Sequence, residues 1–293
     1  MLNLLRDRRD SSASGGDCEA STQVQATAFD GLAAGYDAAF TESAIGRTLR
    51  ALVWTRLEQA FAPHTRVLEL GCGTGEDALC LARRAIEVVA VDASSEMIQV
   101  ARQKARASDL RNSGGQSEAA RVEFHCLSME HLAPTLDGQI FDGVLSNFGA
   151  INCVPNLPAL VADVAGRLRP GAPLVWVVMG RYVPWEWLWY LLQGNWSKAW
   201  RRLSRSGVSW RGIDIVYPSP AELGVLLRPH FAIQRIAPLG VALPPSYAGA
   251  WLERRPRLLK ALTRLERAAQ RWSTLASISD HYIVEATRLP APR

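Results

Sequence analysis

The stretch that decides the fold runs Arg66-Val67-Leu68-Glu69-Leu70-Gly71-Cys72-Gly73-Thr74-Gly75-Glu76-Asp77-Ala78-Leu79. Val67, Leu68 and Leu70 make a short apolar run cut off by a glycine-rich turn, the pattern of a buried parallel strand. Ala78, Leu79, Leu81 and Ala82 then open a helical pattern. Gly71, Gly73 and Gly75 allow a tight turn and let a ligand approach the backbone with no Cβ in the way. The N–H groups at the start of the following helix would face that ligand. A second apolar run, Val88-Val89-Ala90-Val91, ends in Asp92, about twenty residues after Gly71. An acid at that place grips ribose hydroxyls in nucleotide-binding α/β sheets.

Three readings of this unit compete. One is a plain tight turn. A second is a nicotinamide-binding fold, but the spacing is G-x-G-x-G, preceded by Glu69, rather than G-x-G-x-x-G. The chain also has no Tyr-x-x-x-Lys pair to serve hydride transfer. The third fits best: E-L-G-C-G-T-G resembles the first motif of class I S-adenosylmethionine-dependent methyltransferases. The resemblance extends through Val88–Asp92, Phe141–Leu145 and Arg167–Val178, and covers roughly residues 25–180.

That resemblance implies an α/β fold: a Rossmann-like seven-stranded sheet with its last strand antiparallel and helices on both faces. It implies S-adenosyl-L-methionine as cofactor. By the same resemblance, Gly71, Cys72, Gly73 and Gly75 would hold the methionine part, and Asp92 with neighbouring Ala93 the ribose. Glu69 would support the loop and reach the amino-acid portion. Met97 would lie beside the adenine, with core packing as its other reading. Ser128 stands where the family usually has an acid for the adenine amino group, with Met129 beside it and Glu130 a substitute two residues on. Asn147, at the end of the fourth strand, would face cofactor or substrate; a turn-forming role is the alternative.

Phe29, Leu32, Ala33, Tyr36 and Phe40 recur at helical spacing. Their F-D-x-x-A-x-x-Y-D arrangement resembles the lid helix of many small-molecule methyltransferases, with Tyr36 reaching the cofactor. An ordinary amphipathic helix would show the same spacing. Ile45–Ala60 predicts another helix, and Ser94 or Ser95 can cap a third.

At 293 residues, 48% of them hydrophobic, the chain is long enough for one large α/β domain with additions. No apolar run reaches the length of a membrane span, and Met1–Arg9 lacks an uninterrupted secretory segment. Five scattered cysteines suggest reduced thiols and a cytoplasmic protein. His125, Cys126 and His131 lack tetrahedral zinc spacing, so no metal is expected. The expected organisation is a disordered tail over 1–24, the cofactor-binding core with its lid over 25–180, and a cap insertion over 181–218. The end of the core follows over 219–293, carrying a second insertion at about 238–279.

The two insertions are expected to build one helical, tryptophan-rich cap above the C-terminal ends of the parallel strands, where open α/β sheets bind ligands. Residues 1–180 hold 16 Lys/Arg and 21 Asp/Glu, a balance of −5; residues 181–293 hold 17 and 7, a balance of +10. Six tryptophans fall between Trp185 and Trp210. Trp185 and Trp189 are read as pocket wall. Leu258, Leu259, Leu262, Leu265 and Trp272 are read as one apolar stripe beside Arg257, Lys260, Arg264, Arg267 and Arg271. That pattern fits peripheral membrane contact, though a core-packed helix with a solvated basic face is the commoner source of it.

The resulting expectation is a cytoplasmic methyltransferase acting on a hydrophobic small molecule or lipid-like metabolite. For an oxygen nucleophile, His281 at the start of the last strand is the candidate base, with Tyr36 and Tyr182 weaker ones. A nucleic acid or protein methyltransferase and a non-catalytic scaffold of the same fold are the alternatives. No nucleic-acid reading module and no Asn/Asp-Pro-Pro-Tyr tetrapeptide is present, which argues against nucleic acid as partner.

Overall fold

A computed structural model describes residues 28–108, 121–204, 207–245 and 249–290. The expected tail over 1–24 and the loop around Asn112–Gln116 lie outside the described residues.

The apolar runs form strands β1 (Arg66–Leu70), β2 (Glu87–Asp92), β3 (Val122–Cys126), β4 (Gly143–Ser146) and β5 (Pro173–Met179). A hairpin follows, β6 (Val208–Trp210) with β7 (Ile213–Ile215), and then β8 (Phe231–Leu239) and β9 (His281–Arg288). Seven of these make one sheet in the order β3-β2-β1-β4-β5-β9-β8. The first five are mutually parallel, and β9 runs antiparallel between β5 and β8. Strand β1 is the hinge of the topology: Leu68 pairs with Val89 on one side and Val144 on the other. The chain reverses its direction of travel across the sheet between β1 and β4. A crevice opens at such a switch point, above the strands' C-terminal ends.

Helices cover both faces, which is why β1, β2 and β4 read as near-continuous apolar runs. Helix Ala44–Ala60 is capped by Ser43 and buries Ile45, Leu49, Leu52, Val53 and Leu57. Helix Ser95–Ala107 is capped by Ser94, whose hydroxyl accepts from Met97 N–H. Helix Pro220–Leu227 begins with a complete capping box between Ser219 and Glu222. The edge strand β8 tolerates Pro238 because an edge position can spare an N–H.

Several expectations need correction. The first insertion is not wholly helical: after helices Pro184–Leu192 and Trp196–Ala199 it turns into the β6–β7 hairpin. The second begins later than expected, because β8 continues through Leu239. Its helix Pro256–Ala269 carries two stripes, not one. Leu259 and Leu262 pack on the core beside Leu243 and Leu252, whereas Leu258, Leu265 and Trp272 are exposed. The inward stripe continues through Glu266, which is fully buried and accepts from the N–H groups of Gly240, Ala242 and Leu243. That carboxylate pins the loop after β8 to the helix.

Candidate active site

The glycine turn follows directly from β1. Gly71 and Cys72 both donate their N–H to Val91 O, at 2.8 and 3.0 Å, which folds the turn back over β2. Gly71 has φ +68°, and a Cβ there would sit 2.3 Å from the Ala150 side chain. Gly73 has φ +53°, yet a Cβ built on it meets nothing within 4 Å. The turn therefore leaves open space on the Gly73 side, where any other residue would be strained and would fill the cradle.

Asp92 closes the same turn from β2. Its Oδ2 accepts from Gly73 N–H at 2.8 Å and its Oδ1 from Ser94 N–H at 2.9 Å. Burial pushes the Asp92 carboxyl up from its ordinary value, against the pull of those two N–H groups. Each oxygen keeps a lone pair for one further donor.

A cavity of about 350 Å³ opens above this point. Of the residues singled out from sequence, Tyr36, Gly71, Gly73, Asp92, Ala93, Met97, Ser128, Met129 and Asn147 line it. Phe29, Phe148, Cys153 and Met179 extend the wall. The far side comes from the first insertion: Arg201, Arg202, Val208, Trp210, Ile215 and Tyr217.

Other candidates do not reach it. Glu69 is fully buried in β1, and its carboxylate accepts from Ala78 N–H at the start of helix Glu76–Ala82. Burial pushes its carboxyl well above the ordinary range. Cys72 and Gly75 are not among the lining residues; a Cβ at Gly75 would meet Ala101 and Phe124, each at 2.9 Å. Glu130, Tyr182, Trp185 and Trp189 are not among the lining residues. Trp185 instead donates Nε1–H to Val241 O at 2.9 Å, stapling the first insertion to the loop after β8. No described residue of the second insertion lines the cavity.

The candidate base is not among the residues that line the cavity. The His281 ring lies edge-on to the lining residue Phe148 with centroids 5.8 Å apart, and its Nδ1 is 3.2 Å from Asp280 Oδ2. Tyr36 does face the cavity, but burial pushes its hydroxyl up to about 12. Among the described residues no His, Lys or Glu lines the cavity, and Asp92 is the one lining carboxylate.

Sequence reasoning missed a buried polar hub under the site. Asp77 Oδ2 takes both Arg50 Nη1 at 2.7 Å and Asn147 Nδ2 at 2.9 Å, while Oδ1 takes Trp54 Nε1 at 2.6 Å. The Arg50 guanidinium lies over the Phe148 ring, 4.9 Å from its centroid. The hub fixes the start of the glycine-loop helix, the Asn147 amide and one aromatic wall together. Its only trace in sequence is Arg50, a charge among the apolar positions of a buried helix.

The N-terminal segment is latched over the cavity by the two acids of its motif. Asp30 Oδ1 accepts from Ser94 Oγ at 2.6 Å. Asp37 accepts from Thr74 Oγ1 at 2.7 Å and from Lys104 Nζ at 2.8 Å, and Lys104 also pairs with Glu76. From the cap side, Trp210 packs on Phe29 with centroids 5.6 Å apart, and Arg211 donates to Ala28 O.

Residues 67–171 match the family model described as a methyltransferase domain. The ubiquinone biosynthesis O-methyltransferase of Hahella chejuensis is 27% identical over 171 residues, covering 58% of this chain and 64% of that protein. The chain thus spans less than two thirds of the length of the curated relative it matches. Among solved structures, the CcbJ methyltransferase from Streptomyces caelestis superposes with a TM-score of 0.57 at 17% identity, covering 91% of this chain and 99% of that one. The [4+2]-cyclase SpnF does so with a TM-score of 0.57 at 17% identity, covering 93% and 97%. At these identities the structural likeness speaks for the fold alone. Residues 67–171 thus carry a methyltransferase domain, set in a chain whose fold is shared with these solved structures.

Proposed function

We propose that the protein transfers a methyl group from S-adenosyl-L-methionine to a hydrophobic small molecule or lipid-like metabolite. The observation that carries this reading is the two-sided cavity, with Gly71, Gly73 and Asp92 on one wall and Trp210, Ile215 and Tyr217 on the other. The cofactor supplies an activated methyl on a sulfonium, so the protein's part is to bind, orient and exclude water. Gly71 and Gly73 leave room for the amino-acid portion, and Asp92 accepts the ribose hydroxyls. Met97, Ser128 and Met129 edge the adenine. Tyr36 and Asn147 border the reacting end, beneath the latched N-terminal segment. The name of the curated relative, ubiquinone biosynthesis O-methyltransferase, agrees with a lipid-like acceptor.

The test is transfer of labelled methyl from the cofactor into an organic-soluble metabolite extract. Label in the organic phase, lost in Asp92→Ala, is expected. Label confined to protein or nucleic acid would favour those acceptors instead. Absence of S-adenosylhomocysteine binding by calorimetry would overturn the reading.

The second insertion supports peripheral contact with an anionic bilayer. Leu258, Leu265 (58% exposed) and Trp272 (62% exposed) stand out from the surface, and Arg257, Lys260, Arg264, Arg267 and Arg271 are exposed around them. No helix among the described residues is long and apolar enough to cross a membrane. Each basic residue at such a surface adds about 1 kcal/mol, and salt weakens the attachment. Sedimentation with anionic but not neutral vesicles is expected, reduced when Lys260, Arg264 and Arg267 are neutralised together. No sedimentation with either vesicle at low salt would remove the membrane from the reading.

A further inference from the structure

The cap wall of the cavity is not uniformly apolar. Arg201 and Arg202 both line it, while the carboxylates that pair with them stand behind. Glu186, 1% exposed, receives Arg201 Nε on Oε1 at 2.7 Å and lies 2.6 Å from Arg202 Nη2 through Oε2. Asp280 Oδ1 takes Arg202 Nη2 at 2.9 Å. Arg202 Nη1 is engaged by Gly180 O and Asp280 O. These contacts fix both guanidinium planes in advance. They leave the buried Arg202 Nε–H without an acceptor. Among the described residues no hydrogen bond engages the two terminal nitrogens of Arg201, whose plane rests over Tyr190.

The Arg202 Nε–H has almost no accessible surface, so the donors that a ligand in the cavity can meet are the terminal N–H groups of Arg201. Arg presents parallel N–H groups that match the two oxygens of a carboxylate or phosphate, which an ammonium does not. The flanking Tyr217 and Trp210 suit an apolar body beside that anion.

We propose that Arg201, positioned by Glu186 and supported by Arg202, holds an oxyanion on the substrate, so that the substrate class is an apolar molecule carrying one carboxylate or phosphate. This deepens the methyl-transfer reading and rests on it for the word substrate. The anion site itself exists whether or not methyl is transferred. No bond is made or broken there: the arginines anchor and orient.

The experiment measures binding of 2-naphthoate, 2-naphthyl phosphate and 2-naphthol by calorimetry, with and without S-adenosylhomocysteine. The wild type should bind at least one anion about tenfold or more tighter than the neutral naphthol. Whichever of carboxylate and phosphate binds tighter identifies the oxyanion. Arg201→Gln should abolish that preference while leaving 2-naphthol affinity within about twofold, and Arg201→Lys should restore part of it. Arg202 is left intact, because its removal strands Glu186 and Asp280. Equal affinity for all three probes in the wild type would overturn the proposal, as would an Arg201→Gln variant that keeps the preference. Titration of S-adenosylhomocysteine in the same samples separates the two readings. Normal cofactor-product binding with no anion preference sinks this inference alone. Absent cofactor-product binding with a retained preference sinks only the methyl-transfer reading.

Discussion

The two walls of the cavity are built by different means. On the sheet side, position is set by backbone: Gly71 and Cys72 bond to Val91 O, and Asp92 is held by the Gly73 and Ser94 N–H groups. On the cap side, position is set by long side chains whose partners are distant in sequence, such as Arg202 with Asp280 and Trp185 with Val241. A backbone-built wall changes little when a side chain changes, so it suits an invariant ligand. A side-chain-built wall can be altered one residue at a time, so it suits an acceptor that differs from one protein to the next. The same contrast separates the insertions. The first contributes six lining residues, while the second packs through Leu252, Leu259 and Leu262 onto the core.

The largest expected effect comes from the hub under the sheet-side wall. Asp77→Ala leaves Arg50 buried with no carboxylate, and removing one partner of a buried pair costs about 3–5 kcal/mol. Urea unfolding should register that loss, and the Asn147 amide would lose its acceptor at the same time. A loss below about 1 kcal/mol would mean the hub is not what holds this wall.

Asp92→Ala acts on the ligand more than on the fold. Two charge-assisted bonds to ribose contribute roughly 1.5–3 kcal/mol each, so S-adenosylhomocysteine affinity should fall at least tenfold, about 1.4 kcal/mol or more. Unchanged affinity in a folded variant would remove Asp92 from the site. On the cap side the comparison predicts a split. Trp210→Ala should raise the Michaelis constant for an apolar acceptor about tenfold with no change in cofactor affinity, because its ring faces the cavity. Trp185→Ala should leave that constant alone and cost about 1 kcal/mol of stability, the worth of one hydrogen bond. If both substitutions move the Michaelis constant equally, the staple and the wall are not separate.

The contrast also explains what could be read in the sequence. Local rules govern the sheet-side wall. A strand, three glycines and an acid one strand later are set by spacing, so Gly71, Gly73, Asp92 and Ala93 could be placed around one point before any coordinates. The seven-stranded topology came with the same motif. The cap side follows no local rule. Whether Trp185 or Trp210 faces the cavity depends on where the chain turns, and the β6–β7 hairpin supplies a turn that composition does not announce. Spacing puts His281 at the start of the last strand but cannot say what its ring meets, which in the fold is the edge of Phe148. Along helix Pro256–Ala269, adjacent leucines fall on opposite sides, and only the packing against Leu243 and Leu252 decides that Leu259 goes in and Leu258 out. The Arg50–Asp77 pair spans 27 positions, which no window of local pattern covers.

The smallest expected effect tests how the sheet-side wall is supported from below. Glu69 sits in the central strand with its carboxylate on Ala78 N–H, and burial raises its pKa well above the ordinary range in the folded protein. The folded state therefore keeps a proton that the unfolded chain gives up first. That linkage favours the fold at low pH and is lost progressively as pH rises from the ordinary carboxylate range through the folded value. A glutamine has the shape of the protonated acid, retains an oxygen for the Ala78 N–H and does not titrate. Glu69→Gln and the wild type should thus unfold at the same temperature near pH 4. At pH 8 the variant should be the more stable, by an amount on the order of a few degrees in Tm. Cofactor-product affinity should stay put, because Glu69 does not line the cavity. A variant less stable than the wild type at pH 8 would mean that Glu69 is ionised in the fold and held by Arg50. An affinity loss at equal stability would mean that it reaches the ligand after all.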